Sequence, residues 1–192
     1  MRYRPLAGTS LQVSEVGFGV WTVSAGWWGE YTDEQAIALI RRALDLGITY
    51  FNTADTYGDG RGETLLAEAL GAERSRVVIT TKFGYDPSRQ QGARGQQELP
   101  QDWSPAFVRR ACEASLRRLG TDRIDLWQLH NPKMDAIERD DLWQTLADLQ
   151  QEGKILSYGV ALGPRIGWRA EGLRALQAVS YTHLTLPTKR IV

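Results

Sequence analysis

"VSEVGFGVWT", residues 13–22, decides between two architectures. It reads as the first strand of a chain in which strand-like runs alternate with helical ones, the rhythm of a parallel sheet with right-handed crossovers. A doubly wound dinucleotide-binding sheet carries G-x-G-x-x-G straight after its first strand, opening a helix. Gly17 and Gly19 supply two of those glycines, the third is missing, and no helix follows at once. A (β/α)8 barrel is therefore the expected fold.

The rest of the chain keeps the rhythm. Residues 32–47 read as a helix, with Thr32 and Gln35 spaced as a capping box, Gly47 at the end, and Ile37, Ile40, Ala43 and Leu44 as the apolar stripe. Then come strand "ITYFNT", helix "ETLLAEALG" and strand "RVVITTKFG". Ser104 as cap and Pro105 at the first helical position open "PAFVRRACEASLRRLG". Strand "IDLWQLH", helix "RDDLWQTLADLQQEGK", strand "ILSYGVAL" and the helical run "WRAEGLRALQA" complete the pattern. One connection is long: "GYDPSRQQGARGQQELPQDW", residues 84–103, either a solvated insertion or a flap over the strands' C-terminal ends.

An eight-unit barrel takes about 250 residues, and this chain has 192. The expectation is an α/β fold, an incomplete (β/α)8 TIM barrel with about five of eight βα units, over residues 1–178. The last stretch, "VSYTHLTLPTKRIV" (179–192), does not continue the pattern and is expected to be a non-native tail outside the fold. Five strands leave open edges, so the isolated piece is expected neither to melt cooperatively nor to bind a nucleotide cofactor well.

Composition narrows the class. The 23 basic and 23 acidic side chains cancel, so no global field favours nucleic acid or anionic membranes. No apolar run approaches the roughly 18 residues of a membrane span, and the N-terminus lacks a secretion-signal pattern. Cys112 is the lone cysteine, on the apolar side of a helical pattern with Val108, Ser115 and Leu119, and is expected to be a buried packing residue. A cytoplasmic protein is the expectation.

Three polar side chains fall at successive strand ends: Tyr57 just past "ITYFNT", Lys82 in "VVITTKFG" and His130 in "IDLWQLHNP". Alternation puts Val78, Thr80 and Lys82 on one face of their strand, and Leu126, Gln128 and His130 on one face of theirs. Singly, such a lysine snorkels to solvent and such a histidine is a hydrogen-bonded structural residue. Together they lie where barrel enzymes hold their chemistry. Reduction of a carbonyl by hydride needs a proton donor and hydrogen bonds aimed at the oxygen. A phenol, with a pKa of about 10, is drawn toward the working range by an ammonium beside it, and a neutral imidazole orients the carbonyl. Tyr57 as acid, Lys82 as tuner and His130 as orienter make a coherent set. No His/Cys cluster supports a metal, since the other histidine, His183, lies in the odd C-terminal stretch.

On these motifs, with "GFGVW", "GITYFNTADTYGDGRGE", "SLRRLGTDRIDLWQLHNP" and "GKILSYGV", the chain resembles the aldo-keto reductases from about Arg4 to Ala178, and within them the bacterial general-stress and channel-β-subunit-like members. The resemblance implies reduction of aldehydes and ketones with NADPH, or NADH, on a small-molecule substrate. It also implies a catalytic tetrad of Asp, Tyr, Lys and His, matched by Tyr57, Lys82 and His130, with Asn52 at the aspartate position. Asparagine accepts a hydrogen bond but brings no charge, so Lys82 is expected to lose its proton more easily. Gly19, Val20 and Trp21 match the loop that lines the nicotinamide. Ala161 and Leu162, in "VALG", stand where the family commonly has the Ser and Asn that hold the carboxamide. Trp21, Trp27, Trp28 and Trp103 are candidates for an aromatic substrate wall, or else rim packing. The two departures, at Asn52 and in "VALG", motivate an alternative: a nucleotide-binding, redox-sensing regulatory subunit with little turnover.

Overall fold

Strand order answers the question posed by residues 13–22. The computed structural model describes residues 1–6, 8–26, 28–89, 99–163, 169–178 and, for the backbone, 183–185. In it β3 (Gly17–Gly19), β4 (Tyr50–Asn52), β5 (Val78–Phe83), β6 (Ile124–His130), β7 (Ile155–Ala161) and β8 (His183–Thr185) form one parallel sheet in that order. A doubly wound sheet reverses its order at a switch point. Here the order never reverses, so successive right-handed crossovers all step the same way and the sheet curls as part of a barrel.

The first-strand reading needs correction. Residues 12–14 and 17–19 are two strands, and Trp21 starts a one-turn helix, α1 (Trp21–Ser24). Ser14 divides them. Its hydroxyl donates to the Val16 carbonyl (2.7 Å) and accepts from the Thr49 N–H (2.9 Å), offering the backbone an alternative to the ladder. The earlier half, β2 (Gln12–Ser14), pairs instead with β1 (Tyr3–Pro5) in an antiparallel hairpin. Tyr3 Oη donates to the Gly47 carbonyl at 3.0 Å, fixing the hairpin near the start of β4.

The helices α2 (Asp33–Asp45), α3 (Arg61–Leu70), α4 (Pro105–Leu119), α5 (Met134–Ile137), α6 (Asp140–Gln151) and α7 (Arg169–Ala178) follow the apolar periods of the sequence. The capping box on α2 is present: Thr32 Oγ1 accepts from the Gln35 N–H, and Gln35 Oε1 accepts from the Thr32 N–H. Ser104 caps α4 with Pro105 in its first turn, and Gly120 ends it in the left-handed region. Between sheet and helices lies the core of Phe51, Ile79, Phe83, Trp127, Leu129 and their helical partners, with Phe83 and Trp127 stacked at 3.8 Å. Cys112 is fully buried in it, as a packing residue would be.

Residues 90–98 of the long connection lie outside the described residues, as do 179–182 and 186–192 of the C-terminal stretch. The long connection's stem is ordered: Tyr85 bridges Gln101, Asp86 N donates to the Pro100 carbonyl (2.7 Å) and Asp102 N to the Gly84 carbonyl (2.9 Å). Of the C-terminal stretch set aside on sequence, the backbone of His183–Thr185 runs parallel to β7, paired with Gly159–Ala161.

Candidate active site

Period-2 alternation sends Phe51, Ile79, Thr81 and Phe83 outward and leaves Asn52, Thr80, Lys82, Gln128 and His130 on the inner face. The registers Asn52 with Thr80 and Lys82 with Gln128 bring those inner positions together. Lys82, 6% exposed, is the hub. Its Nζ donates to Asn52 Oδ1 (2.8 Å), the Thr53 carbonyl (2.7 Å) and Tyr57 Oη (3.2 Å). An ammonium has three donors, and all three are used.

Tyr57 is aimed there by its own loop. Tyr57 N donates to the Ala54 carbonyl and Gly62 N to the Tyr57 carbonyl. Gly58 sits at φ +62°, with a would-be Cβ 2.4 Å from the Ser24 carbonyl oxygen, so only glycine lets the turn lie against α1. Arg61 then ties α1 down, donating to the Val23, Ser24 and Tyr31 carbonyls while paired with Asp33 at 2.6 Å. The His130 ring stands edge-on to Tyr57 with centroids 5.9 Å apart, and its Nδ1 is buried without a hydrogen-bond partner.

Electrostatics run against one expectation. The Lys82 ammonium was expected to draw the Tyr57 phenol down; instead the phenol is pushed up to about 12, by burial first and by Asp55's charge second. The ammonium itself explains part of this. Burial lowers Lys82 to about 7, with Asp55 and Glu63 opposing the shift, so near neutrality it carries only part of a charge. Easier deprotonation of Lys82 follows the sequence expectation, although burial rather than Asn52 is the main cause. His130 falls to about 3 through burial and the Lys82 charge, and is neutral over the physiological range.

The structure gathers Asn52, Tyr57, Lys82 and His130. Around them, Val20 N donates to the Asn52 carbonyl at 2.9 Å, and Trp21 lies 6.3 Å from Tyr57 between ring centroids. Trp28 packs edge-on against Trp21 at 6.2 Å, and Trp27 lies outside the described residues. Trp103 is not part of this wall. It packs at 5.8 Å against Phe83, on the opposite face of β5 from Lys82, and covers Gly84, where a Cβ would meet its ring at 2.1 Å. Ala161 pairs with His130, and its carbonyl accepts from Asn131 N at 2.9 Å. Leu162 packs with Ile137, Val160 and Ala175, so the side chains of "VALG" bring no polar atom to the site.

Sequence reasoning missed Tyr85, whose ring stands edge-on to His130 at 5.0 Å and whose Oη accepts from Asn131 Nδ2 at 2.9 Å. Its one signal is a place just past the end of β5, like that of Tyr57 past β4. A cavity of about 630 Å³ opens nearby, lined by Asp55, Tyr85, Phe107, Arg110 and Arg118 among others, but not by Tyr57, Lys82 or His130.

A nicotinamide ring fits beside the cluster in one respect. Gly19 pairs with Asn52, and nothing lies within 4 Å of the place its side chain would take, which leaves room for a flat ring over the strand.

The parallel sheet, with Tyr57, Lys82 and His130 gathered at its strand ends, is part of a (β/α)8 barrel. The chain belongs to the aldo/keto reductase family, whose model matches residues 15–176. It is 31% identical over 189 residues to "Aldo-keto reductase YhdN" of Bacillus subtilis (strain 168), covering 97% of this chain and 53% of that protein. Among solved structures, aldo-keto reductase AKR11C1 from Bacillus halodurans (holo form) superposes with a TM-score of 0.75 at 33% identity, over 91% of this chain and 54% of that one. The aldo/keto reductase from Klebsiella pneumoniae in complex with NADP and acetate gives 0.64 at 29% identity, over 90% and 51%. The neighbours are (β/α)8 barrels, of which this structure covers a part. The chain spans about half the length of the curated relatives it matches. Among the described residues, no helix is long and apolar enough to cross a membrane.

Proposed function

We propose that the full-length protein reduces aldehyde or ketone carbonyls to alcohols with NAD(P)H, NADPH first, as a cytoplasmic enzyme acting on a small molecule. The observation that carries this reading is the 3.2 Å hydrogen bond from Lys82 Nζ to Tyr57 Oη, with the His130 ring beside it. The family membership and the NADP in the Klebsiella relative support the cofactor.

When bound, the reduced nicotinamide supplies the hydride for the carbonyl carbon. Tyr57 holds the proton that the carbonyl oxygen takes up. A phenol raised to about 12 is fully protonated at neutral pH, and an alkoxide is basic enough to take its proton. Lys82 donates to Tyr57 Oη and so stabilises the phenolate left behind. His130, neutral, keeps one donor and one acceptor nitrogen, with its buried Nδ1 free of any hydrogen-bond partner, and would orient the carbonyl. Gly19, Val20 and Trp21 would line the nicotinamide. At Ala161 and Leu162 the backbone is what remains for its carboxamide. The regulatory-subunit alternative is not favoured by relatives described as reductases.

The test is Tyr57→Phe in the full-length protein. Aldehyde-dependent NADPH oxidation is expected to fall by about 100-fold or more with cofactor affinity retained. Turnover like that of the unmodified protein would refute the assignment.

A further inference from the structure

His130 ends β6 on a turn that is held from outside its own strand. Asn131 N still donates to the Ala161 carbonyl at 2.9 Å, extending the ladder to β7, but the Asn131 backbone lies at φ +52°, in the left-handed region. Asparagine tolerates that conformation better than most residues, yet outside glycine it is costly. Pro132 adds to the cost, since proline favours extended conformations in the residue before it. A backbone kept in such a state is over-determined by its surroundings.

Those surroundings are the two sides of the long connection's stem. On one side, Gln101 Nε2 donates to the His130 carbonyl at 3.0 Å and to the Asn131 carbonyl at 3.1 Å. A side-chain amide has two N–H donors, and both are spent on this turn. Successive carbonyls of an extended strand point opposite ways, so one nitrogen reaches both only because the chain bends at Asn131. On the other side, Tyr85 is buried, its Oη accepts from Asn131 Nδ2 at 2.9 Å, and its ring stands edge-on to the imidazole with centroids 5.0 Å apart. The two sides are themselves joined, because Tyr85 bridges Gln101 and hydrogen bonds link Asp86 to Pro100 and Asp102 to Gly84. The stem therefore grips the turn after His130 by both carbonyls and by the Asn131 side chain.

His130 needs such a grip. A hydrogen bond on one ring nitrogen is the usual means of fixing an imidazole, and His130 Nδ1 has no partner. What remains is where the backbone places the residue and what packs on its ring, namely Tyr57 and Tyr85. We propose that Gln101 and Tyr85 are positioning residues for His130: the stem of the long connection holds the turn behind the imidazole, packs against the ring, and so aims it at the carbonyl beside Tyr57. This rests on the carbonyl-reductase reading for what His130 does, whereas the grip itself is a property of the folded chain. Their effect on the reaction passes through His130.

The experiment has two readings, one of them independent of turnover. Full-length protein labelled with 15N at histidine gives imidazole cross-peaks by NMR, and His130→Ala assigns those of His130. Gln101→Met keeps the length of the side chain and removes both donors. In it the His130 cross-peaks are expected to shift or split, as the ring moves relative to the two phenol rings, while other histidine peaks stay in place. Gln101→Met is also expected to lower kcat for carbonyl reduction by about 10- to 100-fold with KM for NADPH unchanged. In a His130→Ala background the same substitution is expected to cost no further activity, since residues that act as a unit are non-additive. Unmoved His130 cross-peaks overturn the proposal whatever the turnover, and an equal loss of kcat in the His130→Ala background overturns it too. An unmodified protein that turns over no carbonyl substrate counts against the functional reading instead, and the cross-peaks then decide the grip alone. Should Gln101→Met fail to fold, Tyr85→Phe decides: it keeps the ring and removes only the oxygen that accepts from Asn131, and unmoved His130 cross-peaks in it overturn the proposal equally.

Discussion

Arg118→Met should destabilise the fold far more than an ordinary surface arginine would. Glu63 is 0% exposed, and its two oxygens go to Thr81 Oγ1 and Arg118 Nε, each at 2.6 Å. The Arg118 side chain is 30% exposed, so water reaches one partner and not the other. Removing the arginine leaves a carboxylate with one hydroxyl donor and no counter-charge. Breaking a buried pair in this way costs about 3–5 kcal/mol, and the partly exposed arginine argues for about 3. With a urea m-value of about 3 kcal/mol/M, that displaces the unfolding midpoint by about 1 M. Glu63→Gln added to Arg118→Met removes the stranded charge while keeping an acceptor for Thr81, and should recover all but about 1 kcal/mol. Equilibrium urea unfolding of the full-length protein, followed by circular dichroism, measures all four members of the cycle. An Arg118→Met loss below about 1 kcal/mol, or a double variant no better than the single one, would refute the claim that Glu63 is held as a buried carboxylate by Arg118.

Two further predictions follow from the same geometry. The depressed pKa of Lys82, about 7 against 10.5, means the unfolded chain binds a proton between those values that the native chain does not. This contribution makes stability rise with pH over about 7–10.5, and by the same sign His130, depressed from 6.5 to about 3, makes it rise over about 3–6.5; Lys82→Met should flatten the upper limb in unfolding series at stepped pH, and an unchanged limb would refute it. Trp103→Ala should cost about 3–5 kcal/mol with KM for carbonyl substrates unchanged, because the ring covers Gly84 and Phe83, whereas Trp21→Ala, beside Tyr57, should raise KM with little loss of stability. A raised KM in the Trp103 variant would return that residue to the substrate wall.

What the sequence made legible divides by distance along the chain. Tyr57, Lys82 and His130 could be placed because each is set by one strand's period and one strand's end. The capping box of α2 and the Ser104 cap of α4 were legible for the same reason, with partners three residues apart. The broken first strand was not, since the residue that divides it, Ser14, answers to Thr49, 35 residues away. Trp103 stayed open between substrate wall and rim packing because its partner surface, Phe83 and Gly84, lies across the long connection. Lys82 shows the division within a single side chain. Its hydrogen-bond geometry comes from Asn52, Thr53 and Tyr57, one short segment whose pattern can be read directly. Its charge balance depends on burial, on Asp55, and on a Glu63 whose own field is set by Arg118, 55 residues further along. Local pattern therefore predicts where the phenol and the amine meet. Which of them carries the proton is decided by long-range packing, and that is why the direction of the Tyr57 shift came out opposite to the expectation from its neighbour alone.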